Sequence, residues 1–183
     1  MLDETFPQVL AAAREGAEWA WVRLYRELAP PLLGYLGARG SAEPDDLAGE
    51  VFLQVVRDLR TFEGDGRDFR AWVFTVAHHR LVDDARRRAR RPADSVAEVM
   101  EPEPVTEDTV GQVDRALALE RVRRLIGQLA PDQRDVLLLR VLGGLTVAEV
   151  AQVVGKSTGA VKALQRRGLL RVKQALAEEG VPL

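Results

Sequence analysis

Charge is segregated along the 183 residues of this chain, and this restricts what the chain can fold into. Residues 1–91 hold 14 Arg and 15 acidic residues. Residues 92–114 hold seven acidic residues and no Lys or Arg, and residues 115–183 hold 12 basic residues against six acidic ones. Blocks of such different charge favour separate units over one uniform domain. We therefore expect two domains, at 1–91 and 115–183, on either side of an acidic bridge.

The acidic bridge at 92–114 has the composition of a linker. It contains Pro92, Pro102 and Pro104, and it has no sustained apolar periodicity. Such a segment cannot bury enough apolar surface to offset the entropy of ordering it. Fully extended, it spans up to about 75 Å at about 3.3 Å per residue. We predict a flexible acidic tether.

Composition excludes several classes of protein. The chain has no cysteine, so disulfides, thiolate zinc sites and thiol catalysis are excluded. No apolar run approaches the roughly 20 residues of a membrane span, and the acidic N-terminus does not resemble a signal peptide, so we expect a cytoplasmic protein without membrane insertion. No catalytic constellation or phosphate loop stands out, so we expect neither an enzyme nor a cofactor. His79 and Asp83 lack a third ligand, so no metal is expected.

Apolar spacing predicts helices in both blocks, and no stretch alternates with period two, so the predicted fold is all-α. In the first block, Pro30 and Pro31 fall inside an apolar stripe and predict two helices or a kink. Ser41 is predicted to cap the next helix, with Pro44 in its first turn. The stripe consists of Trp19, Val22, Tyr25, Leu28, Leu32 and Leu36, and the next helix should turn Leu47, Val51, Phe52, Val55 and Leu59 inward.

A loop at 60–68 and a long helix from about Phe69 to Arg90 are expected to complete the first block. Six arginines lie between His79 and Arg91, and such a run repels itself unless an anion lies nearby. Aromatic residues beside a basic stretch can stack on unpaired bases. For Trp72, a place in the core is the more economical interpretation, because it shares a helix face with Phe69.

The second block carries a predicted helix-turn-helix at 147–154 and 158–177. Thr146 and Glu149 form a capping box, Gly155 suits a turn with positive φ, and Ser157 is predicted to cap the second helix. The stretch from Lys156 to Ala177 has six basic residues and no acid, which suits phosphate contact and entry into the major groove. A plain helical hairpin with a solvated basic face is the alternative.

Three stretches in this order resemble the extracytoplasmic-function (ECF) class of bacterial sigma factors. Residues 45–52, DDLAGEVF, are similar to region 2.2 of that family. Residues 69–73 and 76–83, FRAWV and VAHHRLVD, are similar to regions 2.3 and 2.4. Residues 129–140, LAPDQRDVLLLR, and the segment from Gly144 to Lys162 are similar to region 4. The resemblance covers nearly the whole chain.

The resemblance implies a promoter-specificity subunit of RNA polymerase with two small helical domains. Region 2 is expected to dock on the clamp helices of the beta-prime subunit and to open the minus-10 element. Region 4 is expected to bind the beta flap and to read the minus-35 element. An anti-sigma factor is an expected further partner. The alternative is a helix-turn-helix regulator that never binds core polymerase.

Carried onto this chain, the resemblance assigns three sets of residues. The set expected to bind polymerase is Asp45, Asp46, Glu50 and Phe52. The set expected at the minus-10 element is Phe62, Asp65, His79, Arg80, Asp83, Arg86 and Arg87. The set expected at the minus-35 element is Lys156, Ser157, Thr158, Lys162, Ala163, Arg166, Arg167 and Arg171.

Overall fold

The computed structural model of the chain describes residues 5–90, 121–122 and 124–178, and no strand occurs among them. The helices of the first block are α1 Phe6–Arg14, α2 Glu18–Ala38, α3 Pro44–Asp58 and α4 Gly66–Arg90, with a 3-10 turn at Leu59–Thr61. In the second block, residues 124–127 are helical, followed by α5 Pro131–Val141, α6 Val147–Val153 and α7 Thr158–Glu178. The all-α expectation is confirmed. The linker predicted at 92–114 lies outside the described residues.

Helix α2 continues through Pro30 and Pro31, so the two-helix alternative is wrong. Two prolines remove two backbone donors, which ordinarily breaks a helix. Here Leu28 and Leu32, on either side of the prolines, are both fully buried, and Pro30 itself is exposed. Core packing on one face therefore maintains the helix, while water can solvate the carbonyls left unpaired on the other face.

The predicted apolar stripe on α2 is buried only in its second half. Leu28, Leu32 and Leu36 belong to the core, but Trp19 and Tyr25 are 56% and 53% exposed. Ala20 and Leu24 take the core positions in the first half of the helix. Two apolar rows compete there, and the row with the smaller side chains faces inward.

Helix α3 begins one residue after Glu43, with Pro44 at its first position, and no side chain caps it. The predicted cap by Ser41 is therefore wrong, while the predicted place of Pro44 is confirmed. Of the side chains expected inward, Leu47, Val51, Val55 and Leu59 are buried, and Phe52 is half-buried.

An aromatic cluster joins α1, α4 and the connection before α4. The Phe69 ring lies 5.4 Å from that of Phe6 and 5.3 Å from that of Phe62. Phe62 also stacks on Trp72 with centroids 5.2 Å apart. The core interpretation of Trp72 is confirmed, since it packs half-buried against this cluster.

The two blocks share one continuous apolar core. It runs from α1–α4 to Val136 and Leu139 on α5, and on to Val150 on α6. At the junction, Leu142 lies so close to α2 that a Cβ on Gly34 would stand 3.5 Å from its Cδ1. The segregation of charge along the sequence did not predict this contact. No helix in the described part of the chain is long and apolar enough to cross a membrane.

Candidate nucleic-acid interface

The helix-turn-helix is built as its local sequence predicts. Thr146 Oγ1 accepts from the backbone N–H of Glu149 at 3.2 Å, and a Glu149 carboxylate oxygen accepts from the N–H of Thr146 at 2.5 Å. Gly155 adopts φ +63°, the left-handed conformation that favours glycine at a helix end. Ser157 Oγ accepts from the N–H of Ala160 at 3.2 Å and caps α7. The capping box, the turn glycine and the second cap are confirmed.

Core side chains fix how α7 crosses the rest of the second block. Val161 is fully buried, and Leu164 and Ala151 are nearly so. Gly168, which the sequence did not single out, lets α7 approach α5 closely, because a Cβ there would stand 2.9 Å from Leu137 Cδ1. The crossing presents one face of α7 to solvent.

Most of the predicted minus-35 set lies on that exposed face. Lys162 and Arg166 are exposed one turn apart, so their side chains can reach the same ligand. Ala163 is half-buried beside them. Lys156 differs from the others, because its Nζ lies 2.9 Å from a carboxylate oxygen of Asp132. The remaining exposed members are Ser157, Thr158, Arg167 and Arg171.

Part of the predicted minus-10 set is solvent-exposed, and part of it makes structural contacts within the fold. His79, Asp83, Arg86 and Arg87 are exposed along α4. Phe62 is only 8% exposed and lies in the aromatic cluster. Asp65 accepts hydrogen bonds from the N–H groups of Arg67 and Asp68 at 2.7 and 2.9 Å, and so caps α4. These backbone donors hold the pKa of the Asp65 carboxyl below its usual value.

The arginine run has its anions close by. Arg86 pairs with Asp83 at 3.6 Å, and Arg88 pairs with Asp84 at 2.8 Å. Arg87 also pairs with Asp84, at 3.5 Å. These are exposed pairs, which contribute little to stability and exchange readily for another anion such as phosphate. The run therefore remains a usable cationic surface.

A contact between Arg80 and Glu50 connects the predicted minus-10 set with the predicted polymerase set. Arg80 donates from its guanidinium to Glu50 at 3.3 Å and to Gln54 at 3.0 Å. The family resemblance assigned Glu50 to the polymerase surface and Arg80 to the minus-10 element, and the sequence did not predict a contact between them. A substitution at either residue therefore disturbs the other.

Helix α3, which begins with Asp45 and Asp46, and the first half of α2 expose more apolar side chains than the sequence indicated. Both carboxylates are exposed at the start of α3. Further along α3, Leu53 is 64% exposed, and Phe52 stacks on Tyr25 of α2 with centroids 4.9 Å apart. The exposed apolar surface, here called the α2–α3 patch, consists of Trp19, Val22, Tyr25, Leu53 and Val56 with half-buried Phe52. Spacing alone did not separate these residues from core residues.

His78 and Asp135 are the buried polar groups among the described residues. Oη of Tyr35 and Nδ1 of His78 share a hydrogen bond at 2.9 Å, and Asp135 forms an ion pair with Arg39. Burial, and then the charge of Arg39, lowers the pKa of His78 to about 4. Burial raises the pKa of Asp135 despite the opposing charge of Arg39. No group of metal-ligand residues occurs in the described ranges.

Two parts of the chain match known protein families. Residues 24–91 match Sigma-70 region 2, and residues 119–172 match Sigma-70, region 4. The two matches fall on the first and second blocks, and they occur in the order that the motifs indicated.

Curated relatives cover nearly the whole chain. It is 34% identical to the ECF RNA polymerase sigma factor ShbA of Streptomyces griseus, over 91% of this chain and 92% of ShbA. It is 34% identical to BldN of Streptomyces coelicolor, over 94% of this chain and 66% of BldN. It is 33% identical to SigD of Mycobacterium tuberculosis, over 98% of this chain and 88% of SigD.

Solved structures share the fold. CnrH, solved in complex with the cytosolic domain of CnrY, aligns with a TM-score of 0.67 at 22% identity, over 93% of this chain and 96% of CnrH. RpoE of Bartonella quintana, solved with the anti-sigma factor NepR, aligns with a TM-score of 0.68 at 21% identity, over 86% of this chain and 96% of RpoE.

Proposed function

The chain belongs to the extracytoplasmic-function class of RNA polymerase sigma factors, and we propose how its residues divide the recognition of a promoter. As a member of that class it binds core RNA polymerase and directs transcription initiation. The observation that carries the assignment is the order of the two family matches along one chain, region 2 at 24–91 and region 4 at 119–172. In the proposed division, α7 reads duplex DNA and α4 holds the opened strand.

Region 4 reads the minus-35 element through the exposed face of α7. Lys162 and Arg166 contact base edges together, since they are one turn apart and both exposed. Arg167 and Arg171 contact phosphates, which position the helix without reading sequence. Lys156 must leave Asp132 before it can contact DNA, so its contribution is the smaller one.

Region 2 holds the opened minus-10 element along α4. His79, Asp83, Arg86 and Arg87 form its exposed face, and phosphates replace the acidic partners of the arginines. Phe62 and Asp65 contribute indirectly, by fixing the connection before α4. Arg80 positions the end of this face through its bonds to Glu50 and Gln54.

The polymerase surface is proposed to include Asp45, Asp46, Glu50 and Phe52 together with the α2–α3 patch. Interfaces are typically built from a central apolar cluster with charged residues at the rim. In the proposed interface, the patch is the apolar cluster, and the carboxylates at the start of α3 are the charged residues at the rim. The partner surface, which is the beta-prime clamp helices in this proposal, is expected to be apolar with a basic edge.

Three further properties follow from membership of the class. The polymerase supplies the chemistry, so the chain itself is not an enzyme and needs no cofactor. It acts where core polymerase and promoter DNA are, in the cytoplasm. An anti-sigma factor is proposed as a regulatory partner, and RpoE, a structural relative, was solved with one.

Charge reversal at the start of α3 tests the polymerase contact. Asp45→Arg/Asp46→Arg replaces attraction by repulsion, and like-charge juxtaposition at an interface costs several kcal/mol. Glu50 is left intact, because reversing it would also place a second cation beside Arg80. The variant should remain helical by circular dichroism and fail to co-elute with core polymerase on size exclusion. A folded variant that co-elutes like the wild type would contradict the contact at Asp45 and Asp46.

A further inference from the structure

An exposed row of side chains on α2, here called the α2 row, is acidic at one end and basic at the other. Glu18, Val22 and Arg26 are spaced four residues apart, so they lie along one line on the helix surface, and all three are exposed. An open groove of about 940 Å³ follows this line, and its lining is Glu18, Trp19, Val22, Arg23, Arg26 and Glu27. The α2 row therefore has a negative charge, an apolar centre and a positive charge in that order.

The α2 row is complementary to a second copy of itself. In the commonest packing of two helices, the i±4 rows of both helices are aligned and the helices cross at about 50°. A two-fold axis that passes beside Val22 makes the two rows run in opposite directions. Glu18 of each copy then lies opposite Arg26 of the other, because both residues are four positions from Val22. The contact contains two pairs of opposite charge, and no like charges meet along the row.

Apolar side chains border the row and extend the contact. Trp19 and Tyr25 lie on either side of Val22, and Phe52 of α3 stacks on Tyr25 with centroids 4.9 Å apart. Monomeric proteins rarely leave a large contiguous apolar patch in water. A partner of a single charge sign would attract one end of the α2 row and repel the other. A second copy attracts both ends and covers the aromatic side chains between them.

We infer that the free chain forms a weak two-fold dimer through α2, with Val22 at its centre and Glu18 of each copy paired with Arg26 of the other. A standard interface uses about 20–30 residues from each partner, and the α2 row with the α2–α3 patch is much smaller. The expected dissociation constant is therefore roughly 10–100 µM. The dimer covers part of the α2–α3 patch, so it and core polymerase exclude each other. This consequence rests on the proposed function.

Charge reversal tests the pairing in the absence of polymerase. Sedimentation velocity of the wild-type chain at low salt should show an average mass that rises from one chain towards two between about 5 and 200 µM. Glu18→Arg places like charges at both pairs of its own dimer, and Arg26→Glu does the same. Each variant alone should therefore associate at least about tenfold more weakly. An equimolar mixture of the two variants should dimerise again, because every pair in the mixed dimer joins an arginine to a glutamate.

Two further variants separate the pairing from effects on the fold. Glu63→Arg makes the same charge change at an exposed position outside α2, so this control should dimerise like the wild type. Val22→Glu places two carboxylates at the centre of the contact and should abolish association while circular dichroism stays unchanged. Recovery in the mixture also reports on folding, since misfolded chains would not regain a specific dimer. A wild type that remains monomeric at about 200 µM overturns the inference. A dimer that survives the single reversals, or helical variants that fail to associate when mixed, overturn it as well.

Core polymerase supplies a separate readout. Adding core to the concentrated wild type should replace the dimer by a complex that contains one chain. A complex that retains the intact dimer would contradict the mutual exclusion. Failure of the chain to bind core would contradict the proposed function, and the mass of the free chain would still decide whether the dimer forms.

Discussion

Leu53 offers a sharp test of the α2–α3 patch. It is 64% exposed on α3, so Leu53→Asp should change the free energy of unfolding by no more than about 0.5 kcal/mol. Burying a whole leucine side chain is worth about 1.5–3 kcal/mol. The exposed fraction that an interface would cover is therefore worth roughly 1–2 kcal/mol, or about a 5- to 30-fold loss of affinity for core polymerase.

The assay compares three proteins at fixed salt by competition with a labelled wild-type chain for core polymerase. Leu53→Asp should lose at least the stated affinity, because the new carboxylate must also be desolvated. Leu53→Met is the matched control: it keeps an apolar side chain of similar volume, so it should bind like the wild type. Equal affinity for all three proteins, with unchanged melting temperatures, would refute the placement of polymerase on this patch.

Three further predictions address recognition and stability. Lys162→Ala should cost about 1–3 kcal/mol and relax preference at one or two minus-35 positions in a binding-site selection, whereas Arg171→Ala should weaken all sequences alike and reduce the salt slope by about one. The pKa of His78 is lowered on folding, so its contribution is complete above its unfolded pKa of about 6.5 and is lost as the pH falls towards about 4. Urea unfolding over that range should therefore show a loss on the order of 3 kcal/mol in wild type relative to His78→Gln. Gly49→Ala should raise the free energy of unfolding by about 1 kcal/mol, because Gly49 lies inside α3 with no atom within 4 Å of an added Cβ. Thermal melting curves that coincide for the two proteins would contradict this.

Features set by neighbouring residues could be predicted from the sequence. The capping box of Thr146 and Glu149, the turn at Gly155 and the cap at Ser157 each depend on fewer than five consecutive residues. The exposed cations of α7 followed because a helix with one apolar face must turn its charged face outward. The helix-turn-helix was therefore accessible to local reasoning.

Features set by distant residues could not be predicted in this way. Helix α2 continues through Pro30 and Pro31 because Leu28 and Leu32, before and after the prolines, are both buried in the core. Helix propensity alone contains no information about that packing. The exposure of Trp19 depends on which of two apolar rows meets α1 and α3. The pairs Arg39–Asp135 and Arg80–Glu50 join helices that only the folded chain brings together.

Run-off transcription tests the central claim most directly. The purified chain is added to core RNA polymerase on a library of promoter-length templates, and the transcripts are sequenced. The account predicts discrete start sites that require the chain, with a shared element upstream at the minus-35 spacing and a second at minus-10. It also predicts that Lys162→Ala changes the selected minus-35 element while the minus-10 element stays the same. Transcription that is no greater with the chain than with core alone, from a preparation that is folded and binds DNA through α7, would contradict the account.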